Sequence, residues 1–144
     1  MAGQFTRLQK SYRIDPNNVN PDTGKNEIPL YRIVEHSGED LTKISGANAI
    51  PLGVADNDER LDDPLRDGGS QAGRQIAIKL EGIALVTLDG TVSVTDRIYA
   101  VAGGKGDSVD NAPAGIYNVL GFAEKGGVAG DVIPVRMQYH VFTK

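Results

Sequence analysis

The sequence contains no cysteine, which excludes disulfides, thiolate metal sites and a cysteine nucleophile. It contains no tryptophan and only 2 histidines, His36 and His140. These lie far apart and outside any HxH, HxxxH or HExxH context, so no histidine metal motif is present. No apolar run approaches the roughly 18 residues of a membrane-spanning helix. The first stretch, MAGQFTRLQKSYRID, lacks the apolar centre of a signal peptide. A chain made in the cytoplasm, without membrane partners, is expected. Positive charge is also scarce: a net charge of −4 gives no general attraction to nucleic acid.

What is abundant is turn chemistry. With 18 glycines and 7 prolines in 144 residues, short strands are favoured over long helices, and an all-β, β-rich fold with at most one or two short helices follows. One domain of this length buries roughly 68–70% of the surface its unfolded chain exposes, so packing alone can hold it.

The stretch Gln75 to Leu88, QIAIKLEGIALVTL, reads as one long strand. Ile76, Ile78, Leu80, Ala84, Val86 and Leu88 share one face. The other begins polar, with Lys79 and Glu81, and turns apolar at Ile83 and Leu85. Gly82 marks the change and suits a bend or bulge. Ile83 and Leu85 are therefore the candidate subunit-interface residues. Residues 1–27, rich in Asn, Pro and Asp, read as an extended N-terminal arm, and residues 28–144 as a single β-barrel-like domain. Within the arm, Arg7, Lys10 and Arg13 interleave with Phe5, Leu8, Tyr12 and Ile14, a pattern suited to lying across a neighbouring chain.

Further strands are expected at Glu27 to Glu35, Leu41 to Ile44, Ala49 to Ala55, Arg97 to Ala102, Ile116 to Glu124 and Val132 to Phe142. Asp89-Gly90 is the strongest hairpin signal, with Thr91 to Val94 running back. Asp56 to Gly73 reads as a surface loop. Ile50 to Ala55 and Asn118 to Ala123 share an apolar-Leu-Gly-apolar-Ala string.

No catalytic constellation emerges. The Gly103 to Asp107 string GGKGD lacks the GxxxxGK[ST] frame of a phosphate loop, and no serine sits in a GxSxG elbow. Asp56, Asp58, Asp62, Asp63 and Asp67 could supply oxygen ligands. An EF-hand register starting at Asp56, however, places Leu61 where glycine is required and Asp67 where glutamate is required. Neither an enzyme nor a cofactor is expected. The substrate-loop string of trimeric dUTPases is not matched by Gly130 to Arg136.

From about Gln75 to Phe142 the chain resembles the head decoration (capsid cement) proteins of tailed bacteriophages. The resemblance is carried by Leu80 to Val86 (LEGIALV), Gly90 to Tyr99 (GTVSVTDRIY), Asn118 to Ala123 (NVLGFA) and Gly130 to Met137 (GDVIPVRM), in that order. It departs at Thr95, where related segments often carry glycine. The resemblance implies a β-barrel or β-tulip domain that forms a homotrimer on the virion. Such a protein binds the major capsid protein on the capsid exterior, at capsomer junctions, and stabilises the shell. Phe5, Arg7, Leu8, Lys10, Tyr12, Arg13 and Ile14 are then the capsid-binding candidates. A carbohydrate-binding or host-adhesion module displayed on a virion is the alternative.

Overall fold

The structure is a computed structural model and describes residues 8–56, 70–71 and 74–144. Phe5, Arg7 and the acidic positions Asp58, Asp62, Asp63 and Asp67 lie outside the described residues. The chain is all-β, as its composition implies. Five strands close into a barrel in the order β1 (Leu8–Ile14), β4 (Leu41–Ile44), β3 (Arg32–Gly38), β5 (Gly53–Ala55) and β7 (Gln75–Glu81). β1 completes the ring, parallel to β4 and antiparallel to β7. A second sheet of 5 strands has the order β10 (Gly106–Ser108), β9 (Arg97–Ala100), β11 (Ile116–Ala123), β12 (Val132–Thr143) and β8 (Ile83–Thr87). Its two ends meet at a bridge between Leu88 and Gly106. The short strands β2 (Glu27–Ile28) and β6 (Ser70–Gln71) pair separately. A 3-10 turn, Val109–Asn111, begins where the Ser108 hydroxyl accepts from the Asp110 N–H.

Alternation along the strands divides the apolar residues among three cores. Tyr12, Ile14, Ile28, Val34, Ile44, Ala55, Ile76 and Ile78 fill the barrel. Ile33 and Val54 point the other way from β3 and β5, into a core shared with Ala84, Val86, Leu88, Ile98, Leu120, Ile133 and Val135. Both faces of these barrel strands are thus covered, and the barrel wall becomes the floor of the second sheet. On the far side of that sheet, Val109, Ala112, Tyr117 and Val119 make a smaller cluster under the 3-10 turn. Lys144 secures the turn by donating to the carbonyls of Val109 and Asp110 at 3.0 and 3.1 Å.

The long stretch at Gln75 to Leu88 is two strands rather than one. Gly82, at φ +100°, turns β7 out of the barrel and into β8 of the second sheet. An L side chain rarely adopts that conformation, so glycine is what lets one segment serve both sheets. The phase of burial survives the break: Ile76 and Ile78 face the barrel core, and Ala84, Val86 and Leu88 face the shared one.

The expected boundary after residue 27 does not coincide with the fold, because residues 8–14 form a barrel strand. The Asn-rich stretch behind it is bound in place. Asn18 Oδ1 accepts from the Ile44 N–H at 2.8 Å while its amide donates to the Glu27 carbonyl at 3.1 Å. The buried Glu27 carboxylate accepts from Thr23 Oγ1 at 2.7 Å and from Asn20 Nδ2 at 3.3 Å. The Asp89-Gly90 hairpin does not form: neither residue has positive φ, and Val92 pairs with Gly127 instead of running back along β8.

Candidate interaction surface

On β1, burial separates the capsid-binding candidates into two groups. Leu8, Lys10 and Arg13 are exposed, whereas Tyr12 and Ile14 are buried in the barrel core. The placement of Tyr12 and Ile14 on a partner-facing surface is therefore corrected: a strand that closes a barrel must give one face to its interior. Lys10 is also engaged, 3.2 Å from Asp40 and over the Tyr12 ring at 5.0 Å.

Ile83 and Leu85 stand on the outer face of the second sheet, opposite in phase to Ala84 and Val86. Ile83 is half-buried and Leu85 is 38% exposed. Their cross-strand partners on β12 are Arg136 and Pro134. Val132, 41% exposed, extends the same apolar edge. What fixes this corner is a buried ion pair behind it. Lys79 Nζ donates to Asp56 Oδ2 at 2.8 Å and to the Ile83 carbonyl at 3.0 Å, and the Leu85 N–H donates to the same Asp56 oxygen at 2.9 Å.

Further across the face, register aligns residues that sequence spacing keeps apart. Phe122 on β11 is opposite Arg97 on β9 and opposite Arg136 on β12, so the row Arg97, Phe122, Arg136, Ile83 crosses four strands. The guanidinium carbons of Arg97 and Arg136 lie 5.7 and 5.8 Å from the Phe122 centroid. Arg97 is also 4.0 Å from the Phe142 centroid. His140 stacks on Phe122 at 5.2 Å. Its Nδ1 lies 2.9 Å from the Gln138 carbonyl, and its Nε2 lies 3.3 Å from Arg97 Nε. A neutral ring protonated at Nδ1 satisfies both contacts. Nearby, burial pushes the Tyr99 hydroxyl above its ordinary pKa of 10.0, with the Asp107 carboxylate adding to the effect. The sequence shows Arg136 and His140 on the wet side of a strand, but the pairing that brings Arg97 and Phe122 to them is not written in spacing.

Where the barrel meets the second sheet, a groove of about 480 Å³ is lined by Leu52, Leu80, Gly82, Leu120, Met137 and Tyr139, with Glu81 its only titratable carboxylate. That lining is mixed in polarity and does not bring acids and bases together. Among the described residues, no group of three His, Asp or Glu side chains is placed to hold a metal ion.

Fold and surface together define an all-β protein with a closed barrel, a second sheet stacked on its wall, and a cationic aromatic row on the outer face. Among solved structures, the head fiber gp8.5 N base of bacteriophage phi29 has a similar fold. The two superpose with a TM-score of 0.61 over 92% of this chain and 95% of that one, at 16% sequence identity. No protein-family model matches the chain, and no curated protein does.

Proposed function

We propose that this chain is a structural protein of a phage virion, carried on the outside of the head. The observation that carries the reading is the likeness in fold to a phage head fiber base across nearly the whole of both chains. The resemblance of residues 75–142 to head decoration proteins supports it independently. In this reading the protein is not an enzyme. It binds the major capsid protein at capsomer junctions and stabilises the shell, many modest contacts adding through repetition. Copies associate as a homotrimer through the apolar edge at Ile83 and Leu85, and the exposed β1 residues Leu8, Lys10 and Arg13 face the shell.

Electron microscopy of the purified protein mixed with phage heads that lack it tests the proposal. Added density on the shell exterior at capsomer junctions is the expected result. Bare heads at saturating protein would overturn it, and glycan-array binding without head binding would support the host-adhesion alternative instead.

A further inference from the structure

We infer that the row Arg97, Phe122 and Arg136 is a carboxylate-binding site that docks an acidic segment of the shell protein. The inference rests on the virion reading above and names the chemistry of its contact. Three observations carry it. First, the row is a concentration of positive charge on a chain whose net charge is −4, and neither arginine has an acidic partner among the described residues.

Second, the Arg97 side chain is oriented before any partner arrives. Phe142 and Phe122 lie against it at 4.0 and 5.7 Å, and its Nε is held by His140 Nε2 at 3.3 Å. A guanidinium fixed through Nε and stacked on rings keeps its two terminal nitrogens for a carboxylate, which they match as a fork. Little side-chain freedom is then left to lose on binding.

Third, the face divides by chemistry. Leu85, Pro134 and Val132 form an apolar end at β8 and the start of β12, while Arg97 on β9, Phe122 on β11 and His140 and Phe142 near the end of β12 form a cationic aromatic end, with Arg136 between them. Apolar contacts between copies at one end leave the other free to meet the shell. The partner that fits is a protein segment bearing Asp or Glu side chains next to apolar ones, with the rings of Phe122 and Phe142 covering the latter.

The test is co-sedimentation with phage heads lacking the protein, across a salt series. It compares the wild type with Arg97→Gln, Arg136→Gln, the double Gln variant and the double Arg→Lys variant. Light scattering and thermal unfolding report the oligomeric state and folding of each. The double Gln variant should bind about tenfold more weakly or worse and lose most of the salt dependence. The double Lys variant should recover only part of the affinity, because an ammonium cannot form the fork. Arg136 is exposed, so Arg136→Gln keeps the test valid even if Arg97→Gln disturbs packing around Phe142.

Wild-type affinity and salt dependence in the double Gln variant would overturn the inference while leaving the virion reading intact. Loss of the oligomer in that variant would overturn it in favour of a contact between copies. Retention of anionic glycans through the same arginines, without a change in head binding, would overturn it in favour of a sugar acid. If the wild type itself does not bind heads, the virion reading fails, and the docking site with it.

Discussion

Replacing Lys79 by methionine should be among the costliest single changes in this protein. Lys79 and Asp56 are only 8% and 2% exposed at their side chains and sit 2.8 Å apart. Solvent therefore screens the pair little, unlike the exposed Lys10–Asp40 contact. The methionine side chain would keep the volume but leave the Asp56 carboxylate buried without a counter-ion and the Ile83 carbonyl without its donor. Breaking one side of a buried pair costs about 3–5 kcal/mol, a large share of the roughly 5–15 kcal/mol that holds a domain together. With a denaturant slope of about 2 kcal/mol per M, the urea midpoint should fall by about 1.5–2.5 M. Because the pair joins the end of β5 to the turn from β7 into β8, the loss should appear as a fall in the whole transition rather than as a separate early step. Combining Lys79→Met with Asp56→Asn removes both charges yet keeps an acceptor for the Leu85 N–H. That double variant should recover to within about 1–3 kcal/mol of wild type. A cost below about 1 kcal/mol for Lys79→Met alone would place the pair in the class of exposed ion pairs and refute the reasoning.

Thr95 holds a φ of +74°, a conformation that costs a β-branched residue about 1–2 kcal/mol. Thr95→Gly should raise the melting temperature by about 2–4 °C per kcal/mol relieved; a fall would show that the Thr side chain contributes more than the strain costs. A Cβ at Gly121 would run into the Arg136 carbonyl oxygen, and one at Gly53 would run into that of Lys79. Gly121→Ala and Gly53→Ala should each destabilise by about 1–3 kcal/mol through overpacking, read by urea unfolding, and a neutral result at either would mean the strands separate freely there. Asp15 has its carboxyl pKa held below the ordinary 3.8, chiefly by the Asn17 N–H it accepts. Its contribution is present above pH 3.8 and fades as pH falls through the lower folded value, so Asp15→Asn should flatten the acid end of the stability–pH profile. An unchanged acid limb would remove Asp15 from the account.

Strand positions were legible wherever apolar residues alternate between turn signals, as at Leu41–Ile44, Ile116–Ala123 and Val132–Thr143, whereas the strand expected over Glu27 to Glu35 is divided between Glu27–Ile28 and Arg32–Gly38. The glycine at position 82 also announced its role. Residues 8–27 were misread because asparagine, proline and aspartate resemble loose chain in composition. Whether Asn18, Asn20 and Glu27 satisfy one another in a buried network depends on partners that only the closed barrel supplies. Asp89-Gly90 misled for a different reason. A Cβ on Gly90 would stand 2.6 Å from the Asp107 carboxylate, so glycine is there for a close approach across loops and not for a positive φ. The echo between Ile50 to Ala55 and Asn118 to Ala123 likewise marks a shared need: Gly53 and Gly121 each press against the carbonyl of an adjacent strand. The cationic aromatic row was invisible because cross-strand register is set by the whole sheet.

The strand order also constrains when this protein can become itself. β1 waits for β7 before the barrel can close, and β8, translated directly after β7, finds its ladder partner in β12, after β9, β10 and β11 have emerged. On the ribosome every barrel strand has emerged before Gly82, so the ring can close first, whereas β8 waits through the synthesis of the second sheet as an open apolar edge. Pairings this distant along the chain fold slowly and expose strand edges while they form. Productive folding should thus be a late event, sensitive to chaperone supply and temperature during expression. Truncation before β12 should yield aggregating chains, because the outward Ile33 and Val54 of the barrel wall and the edge of β8 are then left uncovered.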